Sequence, residues 1–208
     1  MRNPKEKYFK AADYLVAARR NPTVFGGKRN FMIRGLFLGK FQPFHIGHLE
    51  VARVILREVD EIVLAIGSAQ FSYTPENPFT AGERIEIVRR SLLDGGVDLR
   101  RCLIVPVPDV GTHSIWVSYV KTFCPKFDVV YSNNNLVRTL FIDAGYEVRP
   151  SPLFNREKYS SAEIRRRMRE KKDWRSLVSQ SAAAYLEGID SEIRLSDIGA
   201  PTQEEHTP

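Results

Sequence analysis

The sequence predicts an α/β fold, a doubly wound five-stranded parallel sheet with helices added at its C-terminal end. Three observations carry this. Five short apolar runs alternate with amphipathic helical stretches from residue 32 onward. That alternation lays strands parallel and covers both faces with helices. The residues with unusual chemistry follow the first four runs, at the edge where such sheets bind ligands.

The elements follow from local signals. Met32–Leu38 is the first strand, and a helix over His48–Val59 follows from Leu49, Ala52, Ile55, Leu56 and Val59 at helical spacing. Glu61–Ile66 is strand two, leading into Gly67-Ser68-Ala69-Gln70. Thr80 with Glu83 three residues on is a capping box, and Gly95-Gly96 stop that helix near Leu93. Cys102–Val107 is strand three, ended by Pro108. The loop Asp109–His113 leads to a helix over Ser114–Phe123. Asp128–Tyr131 is strand four. Asn133–Asn135 lead into a helix ending near Ala144, with Gly145 as its C-terminal cap. Tyr146–Arg149 is strand five. Ser160 with Glu163 forms a second capping box, opening a helix to about Lys172. Short helical pieces follow, and the tail from Ser196 is polar and frayed.

Three segments are expected: a basic extension over 1–31, the core domain over 32–195 and a polar tail over 196–208. Of the 31 basic and 25 acidic residues, eight basic and two acidic fall in residues 1–30, so the rest of the chain is balanced. The net charge of +6 therefore describes the extension, and the core lacks the basic face that nucleic-acid binding needs. Tyr8–Arg20 has helical apolar spacing, and Met32 is a plausible alternative start. No apolar run approaches the ~20 residues of a membrane span, and no apolar stretch near the N-terminus reads as a secretory signal. Cys102 and Cys124 form no framework and suit a reducing cytoplasm.

Gly39-Lys40-Phe41-Gln42-Pro43-Phe44-His45-Ile46-Gly47-His48 is the turn around which the chain is organised. Gly39 permits a close ligand approach. His45 and His48 sit three apart at a helix start, where free N–H groups and the dipole favour phosphate. His-x-x-His has no third soft ligand at recognisable spacing, so no metal bound by protein side chains is expected. Neither common phosphate fingerprint is present.

The turn resembles the G-x-F-x-P-x-H-x-G-H signature of the nucleotidyltransferase superfamily. Gly67–Gln70, Asn77–Arg84, Trp116–Val120 and Ser160–Met168 narrow the resemblance to the archaeal-type nicotinamide-nucleotide adenylyltransferases, over about Met32–Ile193. The resemblance implies a Rossmann-like nucleotidyltransferase fold and AMP transfer from ATP to nicotinamide mononucleotide, giving NAD and pyrophosphate. It implies that His45, His48, Lys40 and Arg165 act on the phosphates, with His48 nearest the reacting α-phosphate, and Ser160 and Ser161 beside Arg165. Asn134 would sit near ribose and adenine, and Trp116 would stack on nicotinamide. Gly39, Phe41, Gln42, Gly47, Ser68, Gln70, Phe79, Thr80, Arg84 and Ser132 complete the expected substrate-binding set. Arg84 reads equally well as a phosphate ligand or the partner of a carboxylate. Ser68 and Gln70 could also merely finish the strand. Mg²⁺ would arrive with ATP, and relatives imply a homo-oligomer, a hexamer. Lys40 stands where the family often has arginine, Ala162 where it has threonine and His113 where it often has asparagine.

Rivals read less well. His45-Ile46-Gly47-His48 also spells the class I aminoacyl-tRNA synthetase signature, but the K-M-S-K-S loop is missing. Adenylyltransferases acting on nicotinic acid mononucleotide, FMN or phosphopantetheine share the core. A catalytically silent nucleotide binder would be expected to have lost His45 or His48.

Overall fold

The computed structural model describes residues 32–152, 154 and 158–199. The expected basic extension with its Tyr8–Arg20 helix and the tail from residue 200 lie outside the described residues. Strands β1 (Arg34–Gly39), β2 (Glu61–Ile66), β3 (Cys102–Pro106), β4 (Val129–Tyr131) and β5 (Glu147–Arg149) form one parallel sheet. Their order is β3-β2-β1-β4-β5, so the chain reverses direction across the sheet between β1 and β4. The helices are α1 (Ile46–Glu58), α2 (Ala81–Asp94), α3 (Trp116–Phe123), α4 (Asn135–Asp143), α5 (Ser161–Arg169), α6 (Gln180–Gly188) and α7 (Ser191–Gly199).

Period two along the strands divides the core. Phe37, Ile62, Leu64, Ile66 and Tyr131 face a layer built from α1, α2, α5 and α6, with Leu49, Ile55, Ile87, Ile164 and Leu186 among its members. Leu36, Val63, Ala65 and Val130 face the other way, onto Val117 and Val120 of α3 and Phe141 of α4. Both faces are covered, which is why these strands read as continuous apolar runs.

Several ends differ from expectation by a turn or less, each for a local reason. α1 starts two residues early because His45 caps it, although imidazole is not among the usual cap side chains. The Thr80–Glu83 capping box is complete. At α5 only half of the expected box forms: Ser160 Oγ accepts from Glu163 N at 3.1 Å, but the Glu163 carboxylate turns to Arg166 and Arg167. Those two guanidiniums draw the Glu163 carboxyl down to about 2. The stretch before Trp116 is a 3-10 turn, His113–Ile115, without a side-chain cap. The tail expected to fray from Ser196 instead continues as helix to Gly199, anchored by buried Leu195. No helix among the described residues is long and apolar enough to cross a membrane.

Phe141 is fully buried against Trp116, Phe127 and Tyr146, at ring separations of 5.5, 6.0 and 5.6 Å. Phe141→Ala is expected to cost about 3–5 kcal/mol of unfolding free energy. Leu136→Ala, on the exposed side of the same helix, should change it by no more than about 0.5 kcal/mol. Urea unfolding of the two variants checks the ranking.

Candidate active site

Where the sheet reverses, a cleft of about 280 Å³ opens above the carboxyl ends of the strands. Phe37 and Leu38 of β1 form its floor, and His45, Gly47, His48 and Val51 form one wall. Asn133 after β4, Ser151 and Pro152 after β5, and Phe154, Tyr159, Ser160 and Ser161 supply the rest. Gly47 is needed here: a Cβ would lie 3.0 Å from Tyr159 Cβ and 3.1 Å from His45 Nδ1.

The two histidines cap α1 reciprocally. His48 N donates to His45 Nδ1 at 3.3 Å, and His45 N donates to His48 Nδ1 at 3.4 Å. Their rings stack at 3.6 Å with an interplanar angle of 19°. A backbone N–H can only donate, so each Nδ1 is unprotonated and each ring carries its proton on Nε2. Burial lowers the His45 pKa to about 4, and burial, then the neighbouring His45, lowers that of His48 well below its usual value. The pair is thus two neutral imidazoles, each offering one Nε2–H, at a helix N-terminus whose first turn has no acidic residue. Phe41 and Phe44 pack His48 at ring distances of 5.0 and 5.2 Å.

The opposite wall is tied to the same turn. Ser161 Oγ donates to Pro43 O at 2.9 Å, and Arg165 Nη1 donates to Gln42 O at 2.7 Å. Arg165 Nε is buried with no hydrogen-bond partner among the described residues. Burial, then Arg169, lowers the Arg165 pKa, while Glu76 opposes the shift. Arg166 and Arg167 face outward onto Glu163.

The structure gathers His45, Gly47, His48, Ser160 and Ser161 into one cleft; Arg165 stands behind the turn, and Lys40 is exposed at its start. Other residues expected to contact substrate also have partners within the fold. Phe41 and Phe79 are core residues, at 2% and 0% exposure. Gly39 is small for Phe41, whose ring a Cβ there would meet at 2.5 Å. The Gln42 amide pairs with both the N–H and the C=O of Phe79, at 3.0 Å each. Thr80 caps α2. Arg84 meets neither solvent nor a bonded carboxylate: it donates to the carbonyls of Gly67 (2.8 Å), Lys40 (3.0 Å), Ser68 (3.1 Å) and Thr80 (3.3 Å). Ser68 Oγ donates to Asp109 Oδ2 at 2.6 Å, and the Gln70 amide bridges the Asp109 backbone. Asn134 Oδ1 caps α4 and Ser132 Oγ accepts from Asn134 N, so their neighbour Asn133 is the asparagine on the cleft. Trp116 is partly buried, edge-on to Phe141, away from the cleft walls. Ala162 and His113 are exposed.

Sequence reasoning missed Asn133, Ser151, Phe154 and Tyr159 on the cleft and the tie at Asp109. Only Asn133 had a visible signal, its place in a run of three asparagines after a strand.

The histidine pair carries a pH dependence. Unfolded imidazoles take protons near pH 6.5, whereas folded His45 does so only near 4 and folded His48 only well below 6.5. The unfolded state therefore binds more protons between those values, and stability present above pH 6.5 is lost as the pH falls toward 4. The slope should approach about 1.4 kcal/mol per pH unit for each histidine. His45→Asn retains a cap acceptor and should remove about half of it above pH 5, where carboxylates contribute little. Urea unfolding across pH 7 to 4.5 measures both; a flat profile would contradict the buried neutral pair.

Residues 36–167 match the cytidylyltransferase-like family. The chain is 48% identical over 167 residues to the nicotinamide-nucleotide adenylyltransferase of Saccharolobus solfataricus, across 80% of this chain and 97% of that protein. It is 46% identical over 176 residues to the enzyme of the same name from Pyrobaculum arsenaticum, across 84% and 99%. The fold is similar to that of the bifunctional NMN adenylyltransferase/ADP ribose pyrophosphatase from Francisella tularensis, with a TM-score of 0.68 at 18% identity, covering 80% of this chain and 53% of that one. Signature turn, capped histidine pair and near full-length kinship with these relatives agree: the chain belongs to the nicotinamide-nucleotide adenylyltransferase family.

Proposed function

We propose that the cleft transfers AMP from ATP to the 5′-phosphate of nicotinamide mononucleotide. A phosphate oxygen of the mononucleotide attacks the α-phosphorus, the bond from that phosphorus to the bridging oxygen of the β-phosphate breaks, and NAD and pyrophosphate result. The attacking group is already an anion, so no general base is required, and the described residues lining the cleft include no carboxylate. What the step needs is in-line placement and neutralisation of negative charge.

The observation that carries this reading is the reciprocal histidine cap. It holds two Nε2–H donors in fixed orientation where a phosphate would seat, without positive charge to be desolvated. In this account His48 serves the α-phosphate and His45 the adjacent phosphate. Ser160 and the N-terminus of α5 face them, and Arg165 with exposed Lys40 adds positive charge toward the β- and γ-phosphates. Gly47 keeps the wall low enough for the phosphates to approach. Trp116 is proposed for the nicotinamide ring, through whatever ring surface Phe141 leaves free. With no acidic residue among the described residues lining the cleft, a divalent ion fits as cargo held by phosphates and water. We take that ion to be Mg²⁺, which would offset charge on the leaving pyrophosphate. On the same reading the enzyme is a cytoplasmic homo-oligomer.

Purified protein with ATP, Mg²⁺ and either nicotinamide or nicotinic acid mononucleotide tests the proposal through the dinucleotide formed. NAD formation is expected from the nicotinamide substrate. His48→Ala should lower turnover by about 100-fold or more with the circular dichroism spectrum retained, as for loss of one preorganised donor. Turnover close to that of the unsubstituted enzyme would sink the phosphate-site assignment.

A further inference from the structure

Directly after β1 and β2, one residue each is held in the left-handed backbone region without being glycine: Phe41 with φ 50° and Ser68 with φ 52°. Such conformations persist only where the surroundings over-determine them. Both are flanked by carbonyls bound to one side chain. Arg84 Nη1 donates to Lys40 O, in the peptide that sets φ of Phe41, and to Gly67 O, in the peptide that sets φ of Ser68. Nη2 donates to Ser68 O, and Nε to Thr80 O at the start of its own helix. The loops after β1 and β2 therefore hang from one guanidinium with 0% exposure.

We propose that Arg84 is a positioning residue for adenylyl transfer, holding Phe41 and Ser68 in their left-handed conformations and through Phe41 fixing the His48 ring. The path is short. The Phe41 ring meets His48 edge-on at 5.0 Å and Phe44 at 5.3 Å, and a Cβ at residue 39 would collide with it. If the Lys40–Phe41 peptide turns over, Phe41 leaves that packing and His48 Nε2 loses its direction. Ser68 is held a second time, by Asp109 on Oγ and N, so the effect falls mainly on the histidine side. Asp109 is the opposite charge felt by Arg84, whose pKa burial lowers to about 10. Lysine offers three donors around one point, whereas the carbonyls approach from two loops and a helix start, which the planar five-donor fork can span.

This inference rests on the adenylyl-transfer reading, and the test separates the two. Arg84→Ala and Arg84→Lys are made in the full chain and assayed with ATP, Mg²⁺ and nicotinamide mononucleotide. Turnover should fall about 100-fold in Arg84→Ala, the size expected for slight misplacement of a catalytic group. Both KM values should stay within about threefold, because Arg84 touches no substrate. Guanidinium at non-denaturing concentration should restore part of the turnover of Arg84→Ala and none of that of His48→Ala. Turnover within about twofold of the unsubstituted enzyme, a raised KM at unchanged turnover, or no rescue by guanidinium overturns the proposal. If Arg84→Ala fails to fold, Arg84→Lys decides: a drop of about tenfold at unchanged KM supports it, and turnover within about twofold overturns it. If the unsubstituted enzyme forms no dinucleotide, the adenylyl-transfer reading fails. Hydrogen exchange over residues 39–45 and 67–71 then decides the positioning role, faster in Arg84→Lys if Arg84 holds the loops and unchanged if it does not.

Discussion

The site depends on one reciprocal interaction, the capping of α1 by His45 and His48. Each imidazole accepts the other's backbone N–H through Nδ1, and the rings stack at 3.6 Å. That geometry fixes where the helix begins, which tautomer each ring adopts and which nitrogen faces the cleft. Burial keeps both rings uncharged. The phosphate seat is therefore built from N–H dipoles and a helix end, with permanent cations set further out at Lys40 and Arg165. A preformed seat of this kind needs no reorganisation as charge moves to the leaving group.

A turn of this shape does not hold itself. Phe41 in the left-handed region costs about 1 kcal/mol or more, as does Ser68. Three ties from distant elements offset this: Gln42 to the Phe79 backbone, Arg84 to the Lys40 and Gly67 carbonyls, and Arg165 with Ser161 to Gln42 and Pro43. The Asn77–Arg84 and Ser160–Arg165 stretches belong to the site for this reason, and much of their contribution is support given to the first turn. Arg194 extends the support, since it pairs with Glu83 at 2.7 Å and so braces the cap of α2 from the C-terminal helices.

What was legible in the sequence was whatever short-range physics decides. Strand β2 has the bounds its apolar run predicts, the Thr80–Glu83 box formed in full, and Gly145 sits at φ 84° after α4. The loop chemistry pointed to the correct edge of the sheet, and His45 and His48 lie on the cleft. What stayed hidden was the direction of side chains whose partners are far along the chain. Arg84, 44 residues from Lys40, read as a phosphate ligand or the partner of a carboxylate because nothing nearby reveals the carbonyls it serves. The partners of Gln42 and Ser68 within the fold, Phe79 and Asp109, were hidden in the same way. Ser151 and Tyr159 carry no periodicity or motif, and only the sheet order brings them to β1. Glu163 had two possible partners in its own helix and took the charged ones.

The central claim is that the phosphate seat is a pair of neutral imidazoles donating through Nε2. Long-range nitrogen–proton correlation on the side chains of His45 and His48 at pH 7 tests it directly, first without ligand and then with ATP and Mg²⁺. The account predicts an unprotonated Nδ1 and a protonated Nε2 in both rings, with the Nε2–H signals moving when ATP is added. A doubly protonated ring, or a proton on Nδ1 of either histidine in the free protein, would contradict it.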